Sequence, residues 1–307
     1  MYKNYSSYLK TIFGEQVQKI SINAGFTCPN RDGRISTAGC TYCNNQTFNP
    51  HYCQPTKSIT RQLEEGIAFF RKKYPNQRYL AYFQAYSNTY GEISSLKQKY
   101  EEALSHPLVV GLVIGTRPDC VDEELLDYLA TLSKQSYIMI EYGVESTSNE
   151  TLKLINRGHN YESSIQAIRK TAEKGIAVGA HLILGLPRED RETILSHAIN
   201  ISSLPLTTIK LHQLQLIRGT AMAQEFKEHP EWFHLYSVNE YIDLVVDFIE
   251  RLNPDFVIER FVSQSPKELL IAPNWGIKNY EFTAKIEKAL RVKDTFQGAK
   301  YCVQSGQ

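Results

Sequence analysis

Between residues 17 and 217, short apolar runs alternate six times with segments whose apolar residues recur at helical spacing. The runs are VQKISI (17–22), RYLAYFQA (78–85), LVVGLVIGT (108–116), YIMIEYGVES (137–146), IAVGAHLILGLP (176–187) and TIKLHQLQLI (208–217). The helical segments are 58–73, 92–104, 122–133, 149–155 with 161–174, and 189–202. Asp122, Glu123 and Glu124 open one of them with negative charge suited to the positive end of a helix dipole. A run such as VVGLVIG is apolar on both faces, which suits a parallel strand covered by helices on both sides. Successive βα units with crossovers of one hand curl into a barrel, and six are too few to close the usual eight. The pattern therefore predicts an α/β fold, a partial parallel (β/α)6 barrel over residues 1–236. A helical C-terminal extension over 237–307, where the alternation stops, packs on that core.

Ligands of parallel α/β folds gather at the carboxyl ends of the strands. The segment following the first run carries Cys28, Cys40 and Cys43, half of the chain's six cysteines. Six cysteines in 307 residues are too sparse for a disulfide scaffold, which leaves metal or redox chemistry for a cluster of three. Soft thiolates favour an iron–sulfur cluster or zinc. Three thiolates hold three irons of a cubane and leave the fourth open; a structural zinc needs four closed ligands, with Cys53 or His51 as the fourth. Gln84, Thr116, Asp119, Glu145 and Ser146 fall at strand ends on the same side as the cysteines. The net charge of +1 supplies no overall field for nucleic acid, so an RNA partner would need a local patch. No run approaches the roughly 18 apolar residues of a membrane span, and the first residues lack a signal-peptide core. The expectation is a cytoplasmic protein without a membrane partner.

The segment CPNRDG…GCTYCNN resembles the cluster-binding loop of the radical SAM superfamily, in a longer form similar to the group that includes the Elongator catalytic subunit. Within that group the chain is most like the YhcC/YtqA-like bacterial radical SAM proteins. The resemblance continues through YFQAYSNTY (82–90), GTRPD (115–119), EYGVES (141–146), NRGHNY (156–161), LILGLPRED (182–190), IKLHQLQLIRGT (209–220) and LLIAPNW (269–275). It implies a [4Fe-4S] cluster on Cys28, Cys40 and Cys43, with S-adenosylmethionine (SAM) on the fourth iron. One-electron reduction would then cleave SAM to a 5′-deoxyadenosyl radical that abstracts hydrogen from a substrate. It further implies Tyr42 against adenine, and Gln84 and Ala85 in place of a Gly-rich turn that binds the SAM amino group. Glu145 would meet the ribose or amino group, and Arg157 the carboxylate. Thr116 and Asp119 would be strand-three contacts, with Gly185 and Leu186 letting the backbone approach adenine. The implied partners are a reducing donor such as flavodoxin or ferredoxin and a tRNA, modified on the C5 side chain of its wobble uridine. Two other readings stay open: a radical SAM enzyme acting on a small metabolite, and a zinc-stabilised binding protein without activity.

Other residues carry plainer expectations. His51, His159, His181 and His212 are read as packing residues, with the direction of His212 set by strand register. Tyr82, Tyr86 and Tyr90 recur every four residues by accident of a strand-to-loop segment. Arg31, Arg34, Lys57, Arg61, Arg71, Lys72, Lys73 and Arg78 are read as a solvated face. Cys53, Cys120 and Cys302 are expected to be spectators.

Overall fold

The computed structural model describes residues 1–72 and 75–302, which leaves Lys73 outside the described residues. In chain order the elements are α1 (Tyr5–Phe13), β1 (Val17–Ile22), α2 (Ile59–Arg71), β2 (Arg78–Phe83), α3 (Ile93–Leu104), β3 (Val109–Thr116), α4 (Glu123–Leu132), β4 (Tyr137–Glu145), α5 (Asn149–Leu154), α6 (Tyr161–Glu173) and β5 (Ala177–Leu184). There follow α7 (Arg191–Ser202), β6 (Thr208–Gln213), β7 (Leu216–Ile217), α8 (Ala221–Glu228), α9 (Val238–Ile249), β8 (Val257–Arg260), β9 (Leu270–Ala272) and α10 (Asn279–Val292). Strands β1 to β6 and then β8 make one seven-stranded sheet in which every pairing is parallel.

The helices begin where short polar side chains can hold their first free N–H groups. Ser58, Asp122, Ser148, Asn160 and Asp190 each accept a hydrogen bond from a backbone N–H of the first turn. Between strands and helices lies an apolar layer in which Leu112, Ile114, Ile140 and Val178 are fully buried. All six expected strands form. The last run divides, because β6 stops at Gln213 and Leu216–Ile217 pairs antiparallel with β9. Where that backbone ladder ends, the Gln213 side chain replaces it. Its amide donates to the Ser263 carbonyl at 2.9 Å and accepts from the Ser263 N–H at 2.8 Å.

The sheet continues one strand beyond the expected six. β8, VIER, is contributed by the segment beyond residue 237. Lys19 of β1 reaches Glu259 of β8 at 2.5 Å, so the two edge strands face each other and the sheet is curled into an open barrel. Across the seam the Ile258 N–H donates to the Lys3 carbonyl at 2.8 Å, and α1 packs against both edges.

The long loop between β1 and α2 is pinned over the carboxyl ends of the strands. Thr41 N–H donates to the Ile155 carbonyl at 3.0 Å and Met222 N–H to the Thr41 carbonyl at 2.9 Å. Asn156 Nδ2 donates to the Gly39 carbonyl at 2.7 Å. Gly39 turns there with φ 76°, and a Cβ at that position would lie 2.9 Å from the Arg31 guanidinium.

Candidate active site

One cavity opens at the carboxyl ends of the strands, and Cys28, Cys40 and Cys43 all line it. None of the three is in a disulfide. Cys43 N–H donates to the Cys40 carbonyl at 3.0 Å, a turn that brings two thiols of the CTYC segment to one wall. The Cys40 sulfur is buried and accepts from Asn30 Nδ2 and from Arg157 Nη1, each at 3.5 Å. Arg31 Nη2 donates to the Cys43 carbonyl at 2.8 Å. Burial, followed by the neighbouring Cys40, pushes the Cys43 thiol up against the pull of Arg31.

Among the described residues no three His, Cys, Asp or Glu side chains converge as they would around a single ion. A cubane places its thiolates on separate irons, farther apart than the donors of one ion. Cys53, the candidate fourth zinc ligand, is turned away. Its thiol donates to the Ser21 carbonyl at 2.9 Å and is pushed up to about 12 by burial. His51 is exposed.

Glu145 and Arg157 sit side by side on the Cys40 wall of the cavity, at 3.7 Å, rather than opposite the thiols. Glu145 ends β4 at φ 68°, after an irregularity in the pairing with β5, and this turns its carboxylate into the cavity. Burial raises the Glu145 carboxyl, opposed by Arg157 and by the Tyr42 hydroxyl. Arg157 Nη2 donates to the Gly143 carbonyl at 2.6 Å, while its buried Nε has no partner. Arg117, which also lines the cavity, supports this wall. It donates to the Arg157 carbonyl at 2.8 Å and holds Asp119 through two bonds of 2.9 and 2.8 Å.

Tyr42, Gln84 and Thr116 also line the cavity. Gln84 is steadied by the Ser21 hydroxyl at 3.1 Å, and Thr116 by Ser87 at 2.9 Å. Four other expected residues stand outside the cavity wall. Ala85 is buried next to Gln84, Asp119 is taken up by Arg117, Gly185 faces the Tyr236 ring, and Leu186 is buried.

Below this wall the cavity floor is charged, which sequence reasoning missed. Glu141 of β4 takes Lys210 of β6 at 2.8 Å and Lys19 of β1 at 2.5 Å, and Glu259 takes the same two ammonium groups at 3.0 and 2.5 Å. Lys19 and Lys210 hold the Glu141 carboxyl well below the usual carboxylate range despite burial. His181 donates to Glu141 at 2.9 Å. His212 points inward beside Arg260, and Tyr82 accepts from Lys210 at 3.3 Å. The available signal was period two, since Glu141 and Gly143, or Lys210 and His212, alternate along apolar strands and so share one face.

The basic groups near the cysteine loop are largely engaged. Lys57 and Arg61 both pair with Glu65, Arg78 pairs with Glu15, and Arg34 lies over the Tyr90 ring at 5.6 Å.

The donor set fits a cluster and a zwitterionic ligand: three unpaired thiols, two N–H groups aimed at one sulfur, and a buried arginine with a free Nε. The Radical SAM superfamily profile matches residues 26–198, and that of the Radical SAM C-terminal domain matches 206–292. The chain belongs to the radical SAM superfamily, and it is an enzyme that uses a [4Fe-4S] cluster and SAM. It is 33% identical over 297 residues to the uncharacterized protein YtqA of Bacillus subtilis, covering 97% of this chain and 92% of that one. A tRNA uridine(34) acetyltransferase of Methanocaldococcus infernus is 30% identical over 52% of this chain and 29% of its own length. The archaeal Elp3 structure from the same organism superposes with TM-score 0.67 at 19% identity, covering 92% of this chain and 64% of that one. No helix among the described residues is long and apolar enough to cross a membrane.

Proposed function

We propose that Cys28, Cys40 and Cys43 hold the cluster and that the enzyme modifies the C5 side chain of a wobble uridine in tRNA. The observation that carries the site is the meeting of these thiols with Glu145 and Arg157 on one cavity at the strand ends. The likeness to a tRNA uridine(34) acetyltransferase over half of the chain supports the substrate. Bound there, the cluster and SAM supply a 5′-deoxyadenosyl radical for hydrogen abstraction. The chain's own residues do the rest. Arg157, with Nε free, receives the SAM carboxylate, and Glu145 takes its amino group or ribose. Tyr42, Gln84 and Thr116 line the remaining wall. Asn30 and Arg157 direct N–H groups at the Cys40 sulfur, and Arg117, fixed by Asp119, holds the Arg157 backbone in place. Gly185 and Leu186 shape the end of β5 from behind the wall. The walls exclude water and stray hydrogen donors, which is the protein's share of radical chemistry. The electron donor is a flavodoxin or ferredoxin, and the compartment is the cytoplasm, where free thiols such as these are kept reduced.

The test begins with anaerobic reconstitution and quantification of iron and zinc. SAM and dithionite are then added and 5′-deoxyadenosine is assayed. The expected result is an iron-loaded protein that forms 5′-deoxyadenosine, with formation reduced to background in Cys40→Ala. Incubation with tRNA is expected to change the mass of a wobble uridine nucleoside. Stoichiometric zinc without SAM cleavage would overturn the cluster assignment, whereas cleavage with every tRNA nucleoside unchanged would overturn the substrate.

A further inference from the structure

The cavity floor holds more positive charge than its own carboxylates can balance. Glu141 and Glu259 face Lys19 and Lys210, and each carboxylate bonds both ammonium groups, so those four close on one another. Arg260, at the end of β8, is a third cation. Its Nη2 touches only the His212 ring, at 3.0 Å from Nε2, and its buried Nε has no partner. Among the described residues no carboxylate lies within salt-bridge distance of Arg260. The histidines do not supply the missing charge or add to it. His181 is pushed down to about 4, by burial first and then by Lys210, and His212 is held well below the ordinary histidine range by burial and Arg260. Burial lowers Lys210, but its ion pairs with Glu141 and Glu259 oppose that, and with both lysines protonated on these carboxylates the floor carries two negative and three positive groups.

Arg260 is half-buried, and a guanidinium whose Nε is cut off from water without a partner or a counter-charge is incompletely compensated. Arg260 and His212 both line the cavity, so its open side faces the space where substrate enters. Arg157 at the upper wall already has Glu145 beside it, which separates the two arginines in role.

We propose that Arg260 and His212 form an anion subsite that receives a singly charged oxyanion of the substrate, a carboxylate. This rests on the reading of the cavity as the reaction site. A single negative charge cancels the surplus of one, while a phosphate dianion would reverse it. The Arg260 guanidinium, with Nη2 already on His212 and Nε sealed but unpartnered, offers its remaining N–H groups to a carboxylate once the cavity is filled. The group of the substrate that reaches the barrel interior is thus an acid, held below the SAM position.

The experiment uses the cluster-reconstituted enzyme with saturating SAM and no reductant, so that nothing turns over. Thermal-unfolding midpoints are followed against sodium acetate, inorganic phosphate and sodium chloride at constant ionic strength. Acetate is expected to raise the wild-type midpoint saturably. Arg260→Gln is expected to bind acetate at least tenfold more weakly and to have a higher midpoint than wild type without anion, because the uncompensated charge is gone. Arg260→Lys, which keeps the charge and loses the guanidinium, is expected to respond weakly. Equal acetate responses in wild type and Arg260→Gln would overturn the subsite. So would an acetate response seen only without SAM, since the SAM carboxylate would then be the occupant. A response to phosphate but not acetate would overturn the choice of carboxylate. The 5′-deoxyadenosine assay, run separately on wild type, shows whether the radical chemistry itself fails.

Discussion

Asn30 is fully buried, and its side-chain amide is shared between the Asn156 carbonyl at 2.6 Å and the Cys40 sulfur at 3.5 Å. An N–H donor to a ligating sulfur stabilises the more reduced cluster, so removing it lowers the reduction potential. Asn30→Leu is expected to shift the cluster midpoint to a more negative value in an EPR-monitored redox titration. It also strands the Asn156 carbonyl, at a cost of about 1–3 kcal/mol in stability. An unchanged midpoint would mean that Asn30 only braces the loop. The three cysteines were drawn together by their spacing, whereas Tyr42, Glu145 and Arg157 took their roles only through the family resemblance, and the structure sets all six on one cavity. Asn30 and Arg117 were not legible in the sequence, because their partners lie far along the chain, at Asn156 and Arg157. Lys210 and His212 become readable only once register fixes which face of β6 is inside.

At the scale of elements, the packing of α2 on β1 turns on Gly66. A Cβ there would lie 2.5 Å from Ile20 Cγ2 and 3.1 Å from the Tyr52 ring. Alanine gains about 1 kcal/mol of helix propensity, while overpacking a filled interface costs about 1–3 kcal/mol. Ile20 is fully buried and has nowhere to move, so the penalty wins. Gly66→Ala is expected to lower the urea midpoint of unfolding; a raised midpoint would show that the interface has slack. The strands of the barrel were legible because six of them carry long apolar runs. β8 was not, since only Val257 and Ile258 of its four residues are apolar and buried, and Glu259 and Arg260 serve the cavity instead. The expected strand at 208–217 divides for a similarly non-local reason, the exchange between Gln213 and Ser263.

For the molecule as a whole, the charged floor couples stability to pH. His181 is pushed down to about 4 from an ordinary value of 6.5, by burial first and then by Lys210. The unfolded chain takes up that proton at higher pH than the folded one, so stability is lost as pH falls from about 6.5 towards 4. The contribution is about 3 kcal/mol at full extent. Glu141, held well below its ordinary range, adds a loss that begins lower, as pH falls through the carboxylate range. Unfolding free energy measured by urea titration is expected to drop between pH 6.5 and 4.5, with a shallower slope in His181→Gln. An identical slope in that variant would place the linkage elsewhere.

The seam of the barrel joins residues far apart in time as well as in sequence. Lys3 bonds Ile258, Lys19 bonds Glu259, and the Met1 carbonyl accepts from Gln297 N–H. During synthesis the seam beside β1 stays open until β8 is made, because Lys3 and Lys19 meet Ile258 and Glu259 only then. The cavity, whose floor is completed only by Glu259 and Arg260, takes its final charge only after β8 has been made. Iron loading before that point would meet a site still lacking its base.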